Sequence, residues 1–123
     1  MGSRILVDTD CIIDYYKGFL ELDSSGVYHI SEITVYEFIR GTRNIKEAKR
    51  ILEESFQIVW VDNEILEMAS EIWRSLKSMG KMIEDRDLII GCTALTKKLK
   101  LLTRNVKHYE LLKDYGLIFD SQC

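Results

Sequence analysis

The sequence of 123 residues contains no proline, two histidines (His29 and His108) and three cysteines without a CxxC pair. Two histidines are too few for a multi-histidine metal site, and an odd number of cysteines without CxxC spacing argues against a disulfide framework and a structural zinc site. No apolar run approaches the roughly 18 residues that a membrane-spanning helix needs, and the N-terminus lacks a signal-peptide pattern. We therefore expect a cytoplasmic protein with no membrane association.

The sequence also lacks an excess of positive charge: it has 17 lysine and arginine residues against 20 aspartate and glutamate residues, for a net charge of −3. Proteins that bind nucleic acids usually carry the opposite sign. An RNA or DNA partner would therefore require a divalent cation that offsets the local acidity. The basic stretches 40–50 and 96–100 could contact phosphates, but solvated helix faces have the same composition and are more common.

Short apolar runs alternate with longer helical patterns along the chain. The predicted strands are residues 4–8, 27–30, 56–61 and 101–103, with a possible fifth at 117–119, and the predicted helices are residues 9–18, 32–41, 46–55, 63–80, 85–100 and 105–116. Strands that alternate with helices form parallel sheets through right-handed crossovers. We predict one domain over residues 1–123, an α/β fold of three layers with four to five parallel strands and helices on both faces.

The stretch RILVDTD places Asp8 and Asp10 directly after a strand that reads as buried on both faces. The carboxyl ends of parallel strands are where α/β proteins bind ligands. The simpler interpretation is that Asp8, Thr9 or Asp10 caps the helix that follows.

Glu37 and Asp87 are also unusual. Glu37 lies in a predicted helix whose apolar residues cover nearly the whole circumference, so it either pairs with Arg40 or serves as a ligand. Asp85 and Asp87 open another helix, where acids suit the helix dipole. Asp87 shares a face with small residues, which we expect to approach the sheet closely, whereas Asp85 projects about 160° away. A straight helix directs only Asp87 into a shared site.

The fourth predicted strand ends in Thr103 and is followed by Arg104 and Asn105. Asn105 is expected to cap the last helix, but it also stands at the same edge of the sheet as Asp8. Carboxylates that converge there without lysine or histidine partners would repel one another. Oxygen ligands of this kind suit Mg²⁺ or Mn²⁺, the cations used in phosphodiester chemistry.

Four segments in this order resemble the motifs of the PIN-domain family, and within it the VapC-type toxin ribonucleases of toxin–antitoxin pairs. They are ILVDTD, ISEITVYEFIRG, DLIIGCTAL and LLTRNVKHYELL. The resemblance covers essentially the whole chain. The sequence departs from the family pattern at Asn105, where some members carry an acid, and at Gly91, where alanine is frequent.

The resemblance implies a metal-dependent endoribonuclease. In that enzyme, Asp8, Glu37 and Asp87 bind Mg²⁺ or Mn²⁺ and form the catalytic set, to which Asp85 and Asn105 are candidate additions. Thr9, Thr103 and Arg104 would orient ligands or substrate. The family also implies an RNA substrate, a homodimer and a small antitoxin protein. Since no segment of the sequence is typical of an inhibitory element, we expect restraint from outside the chain.

Three alternatives remain open from the residues. A receiver domain would use Asp62 as its phosphoacceptor, but it needs a lysine that LLTRN does not supply. A haloacid-dehalogenase-like phosphatase would use the DTD segment, yet Ile12 stands where threonine or valine is preferred. A PIN-like scaffold that only binds a partner would have no use for the acids.

Overall fold

The computed structural model describes residues 2–122. Its strands are β1 (Arg4–Val7), β2 (Val27–Ser31), β3 (Gln57–Val59) and β4 (Lys100–Leu102). Its α-helices are α1 (Thr9–Lys17), α2 (Glu32–Ile39), α3 (Ile45–Ser55), α4 (Asn63–Ser78) and α5 (Asp85–Lys97), and a 3₁₀ helix covers Val106–Tyr115.

Polar residues at the strand ends start the helices. Asp8 accepts a hydrogen bond from the Thr9 amide and caps α1, and Ser31 and Asp62 cap α2 and α4 in the same way. Gly18 ends α1 with φ of 83°, a left-handed conformation that favours glycine. Strands β1 and β2 therefore run directly into α1 and α2 at their carboxyl ends.

All the described strand pairs are parallel, and the order in the sheet is β3-β2-β1-β4. The chain moves from β1 through β2 to the β3 edge and then crosses back to place β4 on the other side of β1. The strand order therefore reverses between β1 and β4. A crevice forms at such a point in parallel sheets, outside the carboxyl ends of the strands.

The hydrophobic core has two parts, one on each face of the sheet. Ile5 and Val7 point to the face covered by α1, α2 and α3, and Leu6 points to the face covered by α4, α5 and the 3₁₀ helix. All three side chains are buried, as expected for a strand with helices on both faces. The predicted three-layer α/β fold is confirmed.

The structure refines or corrects several predicted details. The sheet of the described chain has four strands, within the predicted four to five, because the possible fifth at 117–119 makes only a single parallel bridge, Leu101 to Phe119. The third strand is shorter than predicted, and the last helix is 3₁₀. Helix α5 covers one face of the sheet, but its Gly91 packs against this 3₁₀ helix, where an added Cβ would overlap Cδ1 of Leu112. Glycine at 91 permits this contact.

None of the helices described in residues 2–122 combines the length and the apolar character needed to cross a bilayer.

Candidate functional site

Three acidic side chains from different parts of the sequence meet around the guanidinium of Arg86. Its Nη2 donates to Asp8 Oδ1 at 2.7 Å, its Nε donates to Glu37 Oε2 at 2.9 Å, and its Nη1 donates to Asp87 Oδ1 at 2.8 Å. Asp8 follows β1, Glu37 lies within α2, and Asp87 lies in the first turn of α5. They converge at the carboxyl edge of the sheet, as predicted, and the space around these three carboxylates is called the acidic pocket below.

Asp8 is held by donors on both of its oxygens. Oδ1 accepts hydrogen bonds from the Thr9 amide and from Arg86, and Oδ2 accepts from Thr103 Oγ1 at 2.9 Å and from the Tyr109 hydroxyl at 2.8 Å. The residue is only 1% exposed. Asp8 therefore caps α1, and the same carboxylate is held in place beside Arg86.

Glu37 forms its ion pair with Arg86. Pairing with Arg40 on its own helix, the simpler of the two interpretations, is not its main interaction. Besides Arg86, its Oε1 accepts a hydrogen bond of 2.6 Å from Thr9 Oγ1. Burial alone would raise the pKa of Glu37, but hydrogen bonds from Arg86 and Thr9 outweigh it and hold the pKa below its ordinary value. Glu37 is therefore a carboxylate near neutral pH.

The two acids of α5 lie on different sides of the helix. Asp87 is 4% exposed and turns toward the pocket, with His108 Nδ1 3.8 Å from its Oδ2. Asp85 is exposed and lines a groove of about 640 Å³ between α4 and α5, beside Trp73 and Leu88. The projection that separated Asp87 from Asp85 agrees with this placement, and Asp85 lies outside the cluster.

The remaining predicted residues support Asp8 or Asp10 in this structure. Thr103 binds Asp8, and Asn105 donates its side-chain amide to Asp10 Oδ2 at 3.1 Å. Asn105 stands at the N-cap position of the last helix, as expected, but its side chain makes no capping hydrogen bond there. Arg104 pairs with Asp14 at 2.7 Å. Burial, and then the charge of Asp8, raise the pKa of Asp10.

The three convergent side chains are chemically suited to a divalent cation, because carboxylate oxygens are the ligands that Mg²⁺ and Mn²⁺ prefer. As the side chains stand, no three acidic, histidine or cysteine residues in the described part of the chain are placed to hold a metal ion. At the centre of the pocket, the guanidinium of Arg86 lies between the three carboxylates.

Sequence reasoning missed Arg86 and Tyr109. Arg86 stands between two acids in the segment EDRD, and a lone basic residue inside an acidic motif was the available signal. Tyr109 is fully buried on the 3₁₀ helix, where its hydroxyl donates to Asp8 and accepts from Arg86 Nη1 at 2.9 Å. A buried tyrosine needs a partner for its hydroxyl, but the sequence does not identify that partner.

The structure also gives the partners of the two basic stretches and the position of Asp62. In the basic stretch 40–50, Arg50 pairs with Glu47 and Glu54 on its own helix, and Lys49 pairs with Glu53. In 96–100, Lys97 pairs with Asp62. Asp62 follows β3 at the edge of the sheet and caps α4, whereas the receiver alternative requires a phosphoacceptor after a central strand.

A PIN-domain profile matches residues 5–113, which is most of the chain. This protein belongs to the PIN-domain family. It is 47% identical over 122 residues to Ribonuclease VapC1 of Methanocaldococcus jannaschii, covering 97% of this chain and 89% of the relative. It is 30% identical over 120 residues to Ribonuclease VapC19 of Mycobacterium tuberculosis, covering 89% of this chain and 94% of the relative. The resemblance to VapC-type proteins is confirmed.

Solved structures of VapBC proteins share the fold. The VapBC-1 structure from nontypeable Haemophilus influenzae superposes with a TM-score of 0.78 at 25% identity, covering 97% of this chain and 98% of that one. DNA-bound VapBC from Salmonella typhimurium gives a TM-score of 0.75 at 20% identity, with 98% and 99% coverage. The second likeness concerns the fold alone.

Proposed function

We propose that this PIN-domain protein is the toxin endoribonuclease of a VapBC-type toxin–antitoxin pair, acting on cytoplasmic RNA with a divalent cation. One observation carries the proposal. Asp8, Glu37 and Asp87, the acids of three motifs, meet at the carboxyl edge of the sheet where the strand order reverses. The named ribonucleases among its relatives support the same activity.

Asp8, Glu37 and Asp87 would hold Mg²⁺ or Mn²⁺. When bound, the cation would supply charge stabilisation to the phosphate and activation of the attacking water. The surrounding hydroxyls keep the carboxylates in place: Thr103 and Tyr109 fix Asp8, and Thr9 fixes Glu37. This bonding holds Asp8 and Glu37 in position before substrate arrives, which lowers the cost of reorganisation in the reaction.

The charge of the pocket explains how an acidic protein could act on RNA. Carboxylates alone would repel a phosphodiester, and a divalent cation between them reverses that repulsion. Asn105, at the rim of the pocket beside Asp10, is exposed and could contact substrate.

RNA cleavage with the purified protein tests the activity. We expect endonucleolytic products in Mg²⁺ or Mn²⁺ and none in excess chelator, with recovery when the cation is restored. The products implied by the family carry 5′-phosphate and 3′-hydroxyl ends, and sequencing of 5′ ends reports the sites. Cleavage that continues unchanged in chelator would overturn the proposed mechanism.

We propose that the antitoxin binds over the acidic pocket and along the neighbouring surface of α1 and α2. This surface exposes Ile13, Tyr16 and Tyr36, apolar side chains that a partner helix could cover. The rings of Tyr16 and Phe38 lie 5.4 Å apart and join the two helices. A basic side chain of the antitoxin would add charge complementarity at the carboxylates.

Cation and antitoxin would then compete for the same oxygens, and their binding is linked. We expect saturating Mg²⁺ to weaken the antitoxin complex by roughly tenfold, since the pocket loses much of its negative charge. Calorimetric titration across a Mg²⁺ series, with Ca²⁺-free buffer of constant ionic strength, measures this. An affinity that is indifferent both to Mg²⁺ and to Asp8→Asn would place the antitoxin elsewhere on the surface.

We also propose a homodimer, which the family suggests and which the apolar content of residues 11–22 supports. Phe19 in this segment is 72% exposed, and an apolar ring so exposed is a candidate for burial between subunits. Light scattering at micromolar concentration should give twice the mass of one chain. A single species of one chain's mass would contradict the dimer.

A further inference from the structure

The guanidinium of Arg86 is fully engaged by its own chain. A guanidinium has five N–H donors. Nε–H points to Glu37, Nη1 donates to Asp87 and Tyr109, and Nη2 donates to Asp8 and to Thr9 at 3.1 Å. Every donor direction is thus used, and no donor remains for a phosphate. In this arrangement Arg86 does not serve as a substrate-binding residue.

The position of this guanidinium is also the position that a cation would need. One oxygen of each of Asp8, Glu37 and Asp87 lies between 2.7 and 2.9 Å from a nitrogen of Arg86. A divalent cation bound to the same oxygens would lie within a few ångströms of the guanidinium, where two positive charges repel strongly. Arg86 and the cation therefore exclude each other.

We infer that Arg86 is a built-in counter-ion of the carboxylate pocket, which a divalent cation must displace before it can bind. The inference rests on the proposed function only in taking this pocket as the cation site. It assigns to Arg86 a role in setting cation affinity, separate from any contact with RNA.

The surroundings of Arg86 allow such a displacement. Its side chain is 30% exposed, while the side chains of Asp8 and Asp87 are 1% and 6% exposed. Both carboxylates are held by burial, and Asp8 is also held by Thr103 and Tyr109, whereas the arginine can turn toward solvent from the first turn of α5. The most exposed member of the cluster is the cationic one.

The arginine also has a structural effect in the absence of cation. Buried carboxylates that lack a positive partner are costly to fold. Arg86 supplies that partner from the chain itself, so it stabilises the cation-free protein and at the same time weakens cation binding. Removing its charge should therefore destabilise the cation-free protein and strengthen cation binding.

Mn²⁺ binding to RNA-free protein, followed by electron paramagnetic resonance, provides the test. We expect Arg86→Gln to bind Mn²⁺ at least about tenfold more tightly than the parent, because the competing charge is gone. Arg50→Gln is the matched control: it removes one charge from an exposed arginine on α3 and should leave the affinity unchanged. Equal or weaker binding by Arg86→Gln, or no binding by either protein, would overturn the inference.

Thermal unfolding gives a second measurement. In chelator Arg86→Gln should melt at a lower temperature than the parent, and saturating Mn²⁺ should raise its melting temperature more than that of the parent. If Arg86→Gln fails to fold, Arg86→Lys retains a charge without the planar fork and should bind Mn²⁺ more tightly by a smaller factor. An Arg86→Lys affinity equal to or below that of the parent would count against the inference.

Nuclear magnetic resonance of the unmutated protein observes the displacement directly. The Nε–H signal of Arg86 should be protected from exchange in chelator and should lose that protection when Mg²⁺ is added. A protected signal that persists at saturating Mg²⁺ would refute displacement. No RNA enters these measurements, so a protein that behaves as expected here but does not cleave RNA would refute the proposed function alone.

Discussion

Asp8→Asn is expected to lower RNA cleavage by about a thousandfold or more while the protein remains folded. The substitution keeps the shape of the side chain and removes its charge. Asp8 is the least exposed of the three carboxylates around Arg86. It directly follows β1, one of the two strands between which the strand order reverses, so loss of its charge removes the best-fixed ligand of the pocket.

The hydrogen bonds of Asp8 predict how asparagine would sit. The donors at Oδ1 are the Thr9 amide and Arg86, neither of which can accept a hydrogen bond. The donors at Oδ2 are the hydroxyls of Thr103 and Tyr109, which can reorient and accept. The new amide nitrogen should therefore replace Oδ2. We expect a stability cost of about 1–3 kcal/mol from the weakened bonding, which leaves the fold intact.

The measurement is a single-turnover cleavage rate at a temperature where circular dichroism shows both proteins to be folded. Asp114→Asn is a suitable control, since Asp114 is an exposed acid on the 3₁₀ helix and its substitution changes the net charge equally. An Asp8→Asn protein that cleaves as fast as the parent would show that this carboxylate has no part in the reaction.

Convergence of the acids was predictable because it depends on regular geometry. A buried strand followed by Asp8, a helix with no polar face to accommodate Glu37, and the helical projection of Asp87 each follow from the periodicity of strands and helices. Parallel strands then bring their carboxyl ends to one edge. The order of the strands, which places β1 beside β4, completed the pocket.

The partners of these acids were not predictable in the same way. Arg86 precedes Asp87 and has a long side chain, so its direction depends on which charges attract it after folding. Its contact with Asp8 spans 78 positions and that of Tyr109 with Asp8 spans 101. Periodicity assigns a residue to a face, but it does not identify a hydrogen-bond partner so distant in sequence. Asn105 illustrates the same limit, because Asp10 competes with the helix terminus for its side chain.

Asp87→Asn is expected to lower cleavage by about a hundredfold or more, and Asp85→Asn by no more than about threefold. The two residues open the same helix, two positions apart. Asp87 is buried against Arg86, whereas Asp85 is exposed in the groove between α4 and α5. Only Asp87 has an oxygen that points to the position where the carboxylates converge.

Comparing Asp87→Asn with Asp85→Asn separates the effect of side-chain direction from the effect of lost negative charge. Each variant removes one negative charge from the first turn of α5, so each loses a similar interaction with the helix dipole, about 0.3–1 kcal/mol. Each also changes the net charge of the protein by the same amount. A difference in rate between them therefore reports the direction of the side chain toward the pocket, and not the charge of the helix terminus.

Single-turnover rates at several Mg²⁺ concentrations separate an effect on cation binding from an effect on the cleavage rate at saturating cation. If Asp87 binds the cation, Asp87→Asn should need more Mg²⁺ for half-maximal cleavage and should remain slow at saturation, while Asp85→Asn should follow the parent at each concentration. The opposite ranking would place the reactive cation on the groove side of α5. Equal losses would mean that the negative charge at the start of α5 matters and the orientation of Asp87 does not.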